Sequence, residues 1–308
     1  MPSPPLLLAI MGPTGSGKST VAETVAEELD LQLVSADAFM VYKGLDIGTN
    51  KPRDAGRYEL IDIVGIDDGF GVGEWVRRAQ TVLQKLWEQD RGAVVVGGAG
   101  FYVRALFEEY EGLSHAPDPE LRDGLMRREQ EEGLESLVKE LLEKAPQTAQ
   151  ETDLQNPVRV RRALEKLSDP RPPIKVELPA FRKAKIALDV PVDKLDEAIE
   201  ARTEAMFKAG WRAEVEGLLH RGTDRNAPGF RAIGYDCIVD LVEGELELAQ
   251  AKQRIVTETR QYAKRQRTWL RSEPGTRTVQ VGEVSQTACA QATREIIDYL
   301  NSLRSTDG

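Results

Sequence analysis

The hydrophobic pattern changes period several times along the chain, and each change marks an element. Leu6 to Met11 is an unbroken apolar run of strand length that ends on glycines, the signature of a strand buried on both faces. Directly after it, Val21, Ala22, Val25, Ala26 and Leu29 share one face of a helix. Short apolar runs at Leu31 to Val34, Leu60 to Val64, Ala93 to Val96, Lys185 to Leu188 and Thr278 to Val281 predict further strands. Helical stretches such as Trp75 to Gln89 separate most of them. Strands alternating with helices predict an α/β fold, a parallel sheet with right-handed crossovers and helices on both faces.

Between Ser114 and Ala180 the strand pattern disappears. A charged helical stretch runs from Pro117 to Glu132, Leu134 to Lys144 continues it, and Asn156-Pro157 supplies an N-cap and a first-turn proline for a helix to Leu167. Prolines at 170, 172, 173 and 179 close the segment. The expected organisation is therefore an α/β core of residues 1–113 and 181–308 with an all-helical insertion at 114–180. In the second part of the core a helix from Val192 ends at Gly210, and a long one runs from Leu248 to Arg271. Ser305 to Gly308 are expected to form a loose tail.

Composition narrows the class. The 308 residues carry 41 Lys and Arg against 51 Asp and Glu, a net charge of −10, which argues against general polyanion binding but leaves room for a locally basic surface. With two cysteines and two histidines, neither a zinc module nor a disulfide framework is available. The apolar run at Leu6 is too short for a membrane span and has no basic leader, which predicts a cytoplasmic protein without membrane association.

The strongest chemical signal is Gly12-Pro13-Thr14-Gly15-Ser16-Gly17-Lys18-Ser19, which fits GxxxxGK[ST] and lies between an apolar strand and a helix, as a phosphate loop (P-loop) must. Its backbone N–H groups and the positive helix end suit an anion, Lys18 adds a point charge, and the Ser19 hydroxyl can ligand magnesium. The loop names an anion and no reaction. The topology puts Asp37 at the carboxyl edge of the sheet near that loop, as a general base, a magnesium ligand or a turn cap. After it, Tyr42 to Pro52 is a long aperiodic loop. In the helix from Val192, Leu195, Ile199, Arg202 and Met206 share one stripe flanked by Ala198, Ala205 and Ala209, so Arg202 points where apolar side chains point. Such a guanidinium needs an anion, either a carboxylate of the protein or a bound pyrophosphate. Arg260, Lys264, Arg267 and Arg271 form a stripe on the long helix, while Ile255, Tyr262 and Trp269 recur on another side. Arg159, Arg161 and Arg162 form a second basic cluster. Each cluster is either a solvated face or part of a polyanion site.

These segments together resemble the bacterial tRNA isopentenyltransferase family, whose members are tRNA dimethylallyltransferases. The resemblance runs through Gly12 to Ser19, Ser35-Ala36-Asp37 with Tyr42 to Pro52, Gly97 to Tyr102, Asn156 to Glu165, Arg202 with Met206, Gly229 to Tyr235, and above all Thr259-Arg260-Gln261-Tyr262-Ala263-Lys264-Arg265-Gln266-Arg267-Thr268-Trp269-Leu270-Arg271. Ala99 departs from it, standing where the family usually has threonine. The resemblance implies transfer of a dimethylallyl group from dimethylallyl pyrophosphate to the exocyclic amine of the adenosine 3′ of the anticodon, position 37 of the tRNA. It implies that Asp37 accepts the amine proton and that Lys18, Ser19 and Arg202, with the loop from Gly12, hold the pyrophosphate and Mg2+. It further implies tRNA contacts from Asp37, Ala38, Phe39 and Met40, from Val158, Arg159, Val160, Arg161 and Arg162, and from Arg231, Ala232, Ile233, Gly234, Tyr235 and Asp236. The insertion would then grip the anticodon stem-loop, and a monomer is expected. The P-loop alone leaves rival readings: a small-molecule phosphoryl transferase, or an RNA-binding ATPase.

Overall fold

In the computed structural model, residues 4–110, 113 and 118–306 are described. Ser114 to Pro117 at the start of the expected insertion, and Asp307 and Gly308 of the expected tail, lie outside them. The chain divides into two compact units. The first holds the described parts of Met1–Asp68, Trp75–Tyr110 and Val176–Gly308, the second those of Gly69–Glu74 and Glu111–Lys175.

The first unit is built on six strands: β1 (Leu6–Met11), β2 (Gln32–Ser35), β3 (Tyr58–Glu59), β4 (Ala93–Gly97), β5 (Arg182–Asp189) and β6 (Thr276–Gln280). Every pairing is parallel, in the order β3-β2-β4-β1-β5-β6. Its helices are α1 (Lys18–Glu28), α2 (Val72–Glu88, whose first turn belongs to the second unit) and α3 (Gly100–Phe107). The second unit contributes α4 (Pro119–Glu132), α5 (Leu134–Lys144), α6 (Pro146–Glu151) and α7 (Pro157–Ser168). The first unit then continues with α8 (Val192–Lys208), α9 (Trp211–His220), α10 (Tyr235–Glu243), α11 (Leu248–Arg271) and α12 (Gln286–Thr306).

β1 is central and buried along its whole length, which is why its sequence is apolar without alternation. Leu6, Leu8 and Ile10 face a core closed by Val21 and Val25 of α1 and by Cys289, Ala292 and Ile296 of α12, and Leu7, Ala9 and Met11 are buried on the opposite face. The expected strand at Leu60 to Val64 does not form. Leu60 and Asp62 take left-handed φ of 67° and 55°, which ends the strand, so β3 stops at Glu59 and Val64 makes only an isolated bridge to Tyr42. A local apolar run cannot report that turn.

The second unit has its own core of Leu125, Leu137, Leu141, Val160, Ala163 and Leu164. Asn156 caps α7 by accepting from the N–H groups of Val158 and Arg159, and Asp118 caps α4 the same way at Glu120 and Leu121. Gly133, at φ 84°, breaks what the sequence reads as one continuing helix into α4 and α5. No helix among the described residues is long and apolar enough to cross a membrane.

Candidate active site at the carboxyl edge of the sheet

The glycine loop joins β1 to α1, so its N–H groups lie at the positive end of that helix. Gly15 and Gly17 take φ of 85° and 78°, conformations that a Cβ would strain. Lys18 opens α1 and folds its Nζ toward Pro13 O at 3.3 Å. Burial pulls its pKa down to about 8, the positive charge of Arg202 pulls the same way, and Asp37 opposes both. Ser19, Lys18, Asp37 and Arg202 line one narrow cleft of about 60 Å3.

Asp37 follows β2, whose end is fixed by Trp75 Nε1 donating to Ser35 O at 2.8 Å. One carboxylate oxygen, Oδ1, accepts from the N–H groups of Phe39 and Met40 at 2.8 and 3.2 Å. Asp37 is therefore a turn cap and, at the same time, part of the cleft wall. The sequence posed those roles as alternatives, but one carboxylate has enough lone pairs for both.

The loop that follows Asp37 is tied down from a distance. Glu214 of α9 accepts from Asp46 N and Ile47 N, and Tyr235 of α10 accepts from Gly48 N while donating to Glu214. Burial and the Glu214 charge both push the Tyr235 phenol well above its ordinary range, so it stays a donor. The clamp presents Thr49 and Asn50 to the cleft and to a neighbouring cavity of about 270 Å3. That cavity is walled on its apolar side by Phe39, Met206, Trp211 and Ile255 and shares Thr14, Asp37 and Arg202 with the cleft.

Arg202 holds the decisive position. Leu195, Ile199 and Met206 of its stripe are buried, whereas Ala205 and Ala209 are exposed, so the apolar face is narrower than the sequence suggests. Arg202 itself is half-buried because it borders cavities. Among the described residues it forms no ion pair, and its buried Nε has no hydrogen-bond partner. Burial lowers its pKa to about 10, against the partial compensation of Asp37.

The other arginines singled out by the sequence are mostly neutralised. On α11, Arg260 pairs with Asp196 and Glu200 of α8, and Arg267 with Asp189 at the end of β5. Arg161 pairs with Glu129, Arg162 with Glu165 and Arg159 with Asp153 at 3.6 Å. Lys264 and Arg271 are exposed. Val160, Ala232 and Tyr235 are buried, so their side chains serve the protein interior. Val158 and Arg231 are exposed, Ile233 borders the larger cavity, and Asp236 pairs with Arg254.

The family model for IPP transferase matches residues 40–273, most of the chain. The tRNA dimethylallyltransferase of Heliobacterium modesticaldum is 35% identical over 277 residues, covering 86% of this chain and 87% of the relative, and that of Deinococcus radiodurans is 36% identical over 283 residues, covering 88% and 91%. The chain belongs to the IPP transferase family. The fold agrees: the crystal structure of the tRNA isopentenylpyrophosphate transferase of Bacillus halodurans superposes with a TM-score of 0.70 at 27% identity, covering 98% of this chain and 99% of the other.

For an IPP transferase the site also contains residues that sequence reasoning did not single out as functional. Arg265 borders the larger cavity and lies over the Tyr262 ring, 5.7 Å from its centroid. Tyr262 lines the same cavity, and its phenol is raised to about 12 by burial and by Asp37. Trp211 is buried against Gly48 and Gly234, where any Cβ would overlap the indole. The recurrence of Tyr262 at seven-residue spacing was visible in the sequence, but what it faces depends on α8 and the loop after β2.

Proposed function

We propose that this protein is a tRNA dimethylallyltransferase, joining the dimethylallyl group of dimethylallyl pyrophosphate to the exocyclic amine of the adenosine 3′ of the anticodon. One observation carries the reading: Lys18 and Arg202 are desolvated cations that form no ion pair among the described residues, and they share a cleft with Asp37. Such an arrangement fits a diphosphate beside a group that takes a proton. The relatives carry the corresponding name, and membership of their family disfavours the phosphoryl-transferase reading that the loop alone permits.

In the proposed reaction the bond between the allylic carbon and the diphosphate oxygen breaks, and its electron pair leaves with pyrophosphate. Loop N–H groups, Lys18 and Arg202 hold the charge that develops there. The adenine nitrogen bonds to the allylic carbon and releases a proton to Asp37. The hard oxygen donor of Ser19 in the cleft fits Mg2+, which would neutralise part of the leaving-group charge. The hydrocarbon end of the donor belongs in the adjoining apolar cavity, away from water that would quench an allylic cation. A base stacked in an anticodon loop must be flipped out to reach this point. The second unit, with Arg159 and its neighbours on α7, is assigned to the anticodon stem-loop, and the enzyme to a monomer.

The test is incorporation of a labelled dimethylallyl group, with Mg2+ present, into a tRNA bearing adenosines 3′ of its anticodon. Stoichiometric labelling of one adenosine is the expected result. Gamma-phosphate transfer from ATP with no prenyl incorporation would overturn the reading.

A further inference from the structure

Gln266 lies on α11 one helical turn beyond Tyr262, is 7% exposed, and plays no part in the chemistry above. Its Oε1 accepts the Thr14 N–H of the phosphate loop at 2.8 Å, and its Nε2 donates to Gly98 O at 3.0 Å in the turn between β4 and α3. One side-chain amide therefore joins the phosphate loop, the β4–α3 turn and the long basic helix, and both of its polar atoms are used. The turn is shaped around it, since a Cβ on Gly98 would overlap Nε2. Thr14, the loop residue it holds, borders both the narrow cleft and the larger cavity. The tie also removes the Thr14 N–H from the set of donors available to an anion and fixes the direction in which the neighbouring N–H groups point.

We infer that Gln266 is a positioning residue for the diphosphate donor: it sets the conformation of the phosphate loop from α11. The inference rests on the donor site proposed above. It predicts a defect in donor binding that leaves RNA binding intact, because Gln266 touches the loop and no exposed surface.

Two variants test it, with inorganic pyrophosphate and Mg2+ as the calorimetric probe on the full chain. Gln266→Met keeps the length and volume of the side chain but neither bonds Thr14 nor Gly98. Gly98→Ala keeps Gln266 and displaces its amide. Each is expected to weaken pyrophosphate binding by about tenfold, the effect of unpartnering a buried polar group. The KM for dimethylallyl pyrophosphate should rise with kcat retained, and affinity for an anticodon stem-loop should stay at the wild-type value. Because both act on one tie, the double variant should bind no more weakly than either single one. Wild-type affinity in Gln266→Met, additive losses in the double variant, or a parallel loss of stem-loop affinity would overturn the assignment. Absence of pyrophosphate binding by the wild type would instead sink the donor site on which it rests.

Discussion

The two sets of arginines in this molecule are treated in opposite ways. On α7 and along α11 the guanidinium groups are largely spent on nearby carboxylates: Arg161 on Glu129, Arg162 on Glu165, Arg260 on Asp196 and Glu200, Arg267 on Asp189. At the sheet edge, burial pulls the pKa values of Arg202 and Lys18 down, and neither has an ion pair among the described residues. All six side chains are partly buried, so what separates the two sets is the presence or absence of a carboxylate partner, which a partly buried cation needs. On the proposed reading, these two cations mark the place of an external anion.

The contrast breaks most sharply at Arg202. Arg202→Met is expected to lower the rate of dimethylallyl transfer by about 100- to 1,000-fold, the scale of losing one preorganised donor to a developing oxyanion. At the same time it should raise the thermal midpoint, because it relieves an unpaired buried charge. A fall in both activity and midpoint would mean that Arg202 is an ordinary structural residue.

Asp37 is the next largest effect. Asp37→Asn retains an oxygen to accept from Phe39 and Met40 N–H but cannot take a proton, so turnover should drop by about 100-fold while the fold and tRNA affinity are kept. Retained turnover would reduce Asp37 to its turn.

Lys18 sharpens the comparison through pH. Its folded pKa of about 8 lies below its ordinary value of 10.5, so in the free protein the charge is lost as pH rises through about 8. Pyrophosphate affinity should therefore decline above that point, with proton uptake on binding seen as a dependence of calorimetric heat on buffer ionisation enthalpy. Stability moves the other way. The depressed lysine penalises the fold below pH 8, and the penalty is relieved as pH climbs from about 8 toward 10.5.

The smallest effect is expected at the periphery. Arg159 has a largely exposed side chain and one 3.6 Å pair, so Arg159→Glu should change stability by less than about 0.5 kcal/mol. If α7 meets the anticodon stem-loop as proposed, the same change should reduce the salt slope of tRNA affinity by about one unit.

How far these features can be read in the sequence depends on how local they are. β1, α1, α8 and α11 follow from periodicity, α7 from its Asn156 cap, and the phosphate loop from eight consecutive residues. The β3 edge is misplaced because a left-handed Leu60 and Asp62 interrupt an apolar run that otherwise looks like a strand. The fate of the basic stripes is not legible, because their partners sit on other elements: Asp196 and Glu200 on α8, and Asp189 at the end of β5. The loop clamp of Glu214 and Tyr235 escapes for the same reason, since α9, α10 and the loop after β2 must first be brought together. Gln266 is 252 positions from the Thr14 it holds, and no pattern on α11 marks it as different from its neighbours.

On the proposed function, Lys18 and Arg202 at the sheet edge hold a prenyl diphosphate. Calorimetric titration of dimethylallyl pyrophosphate with Mg2+ into the wild-type protein and into Arg202→Met tests it most directly. Saturable binding to the wild type, weakened by at least about tenfold in the variant, is what the account predicts; equal affinity in the two proteins would contradict it.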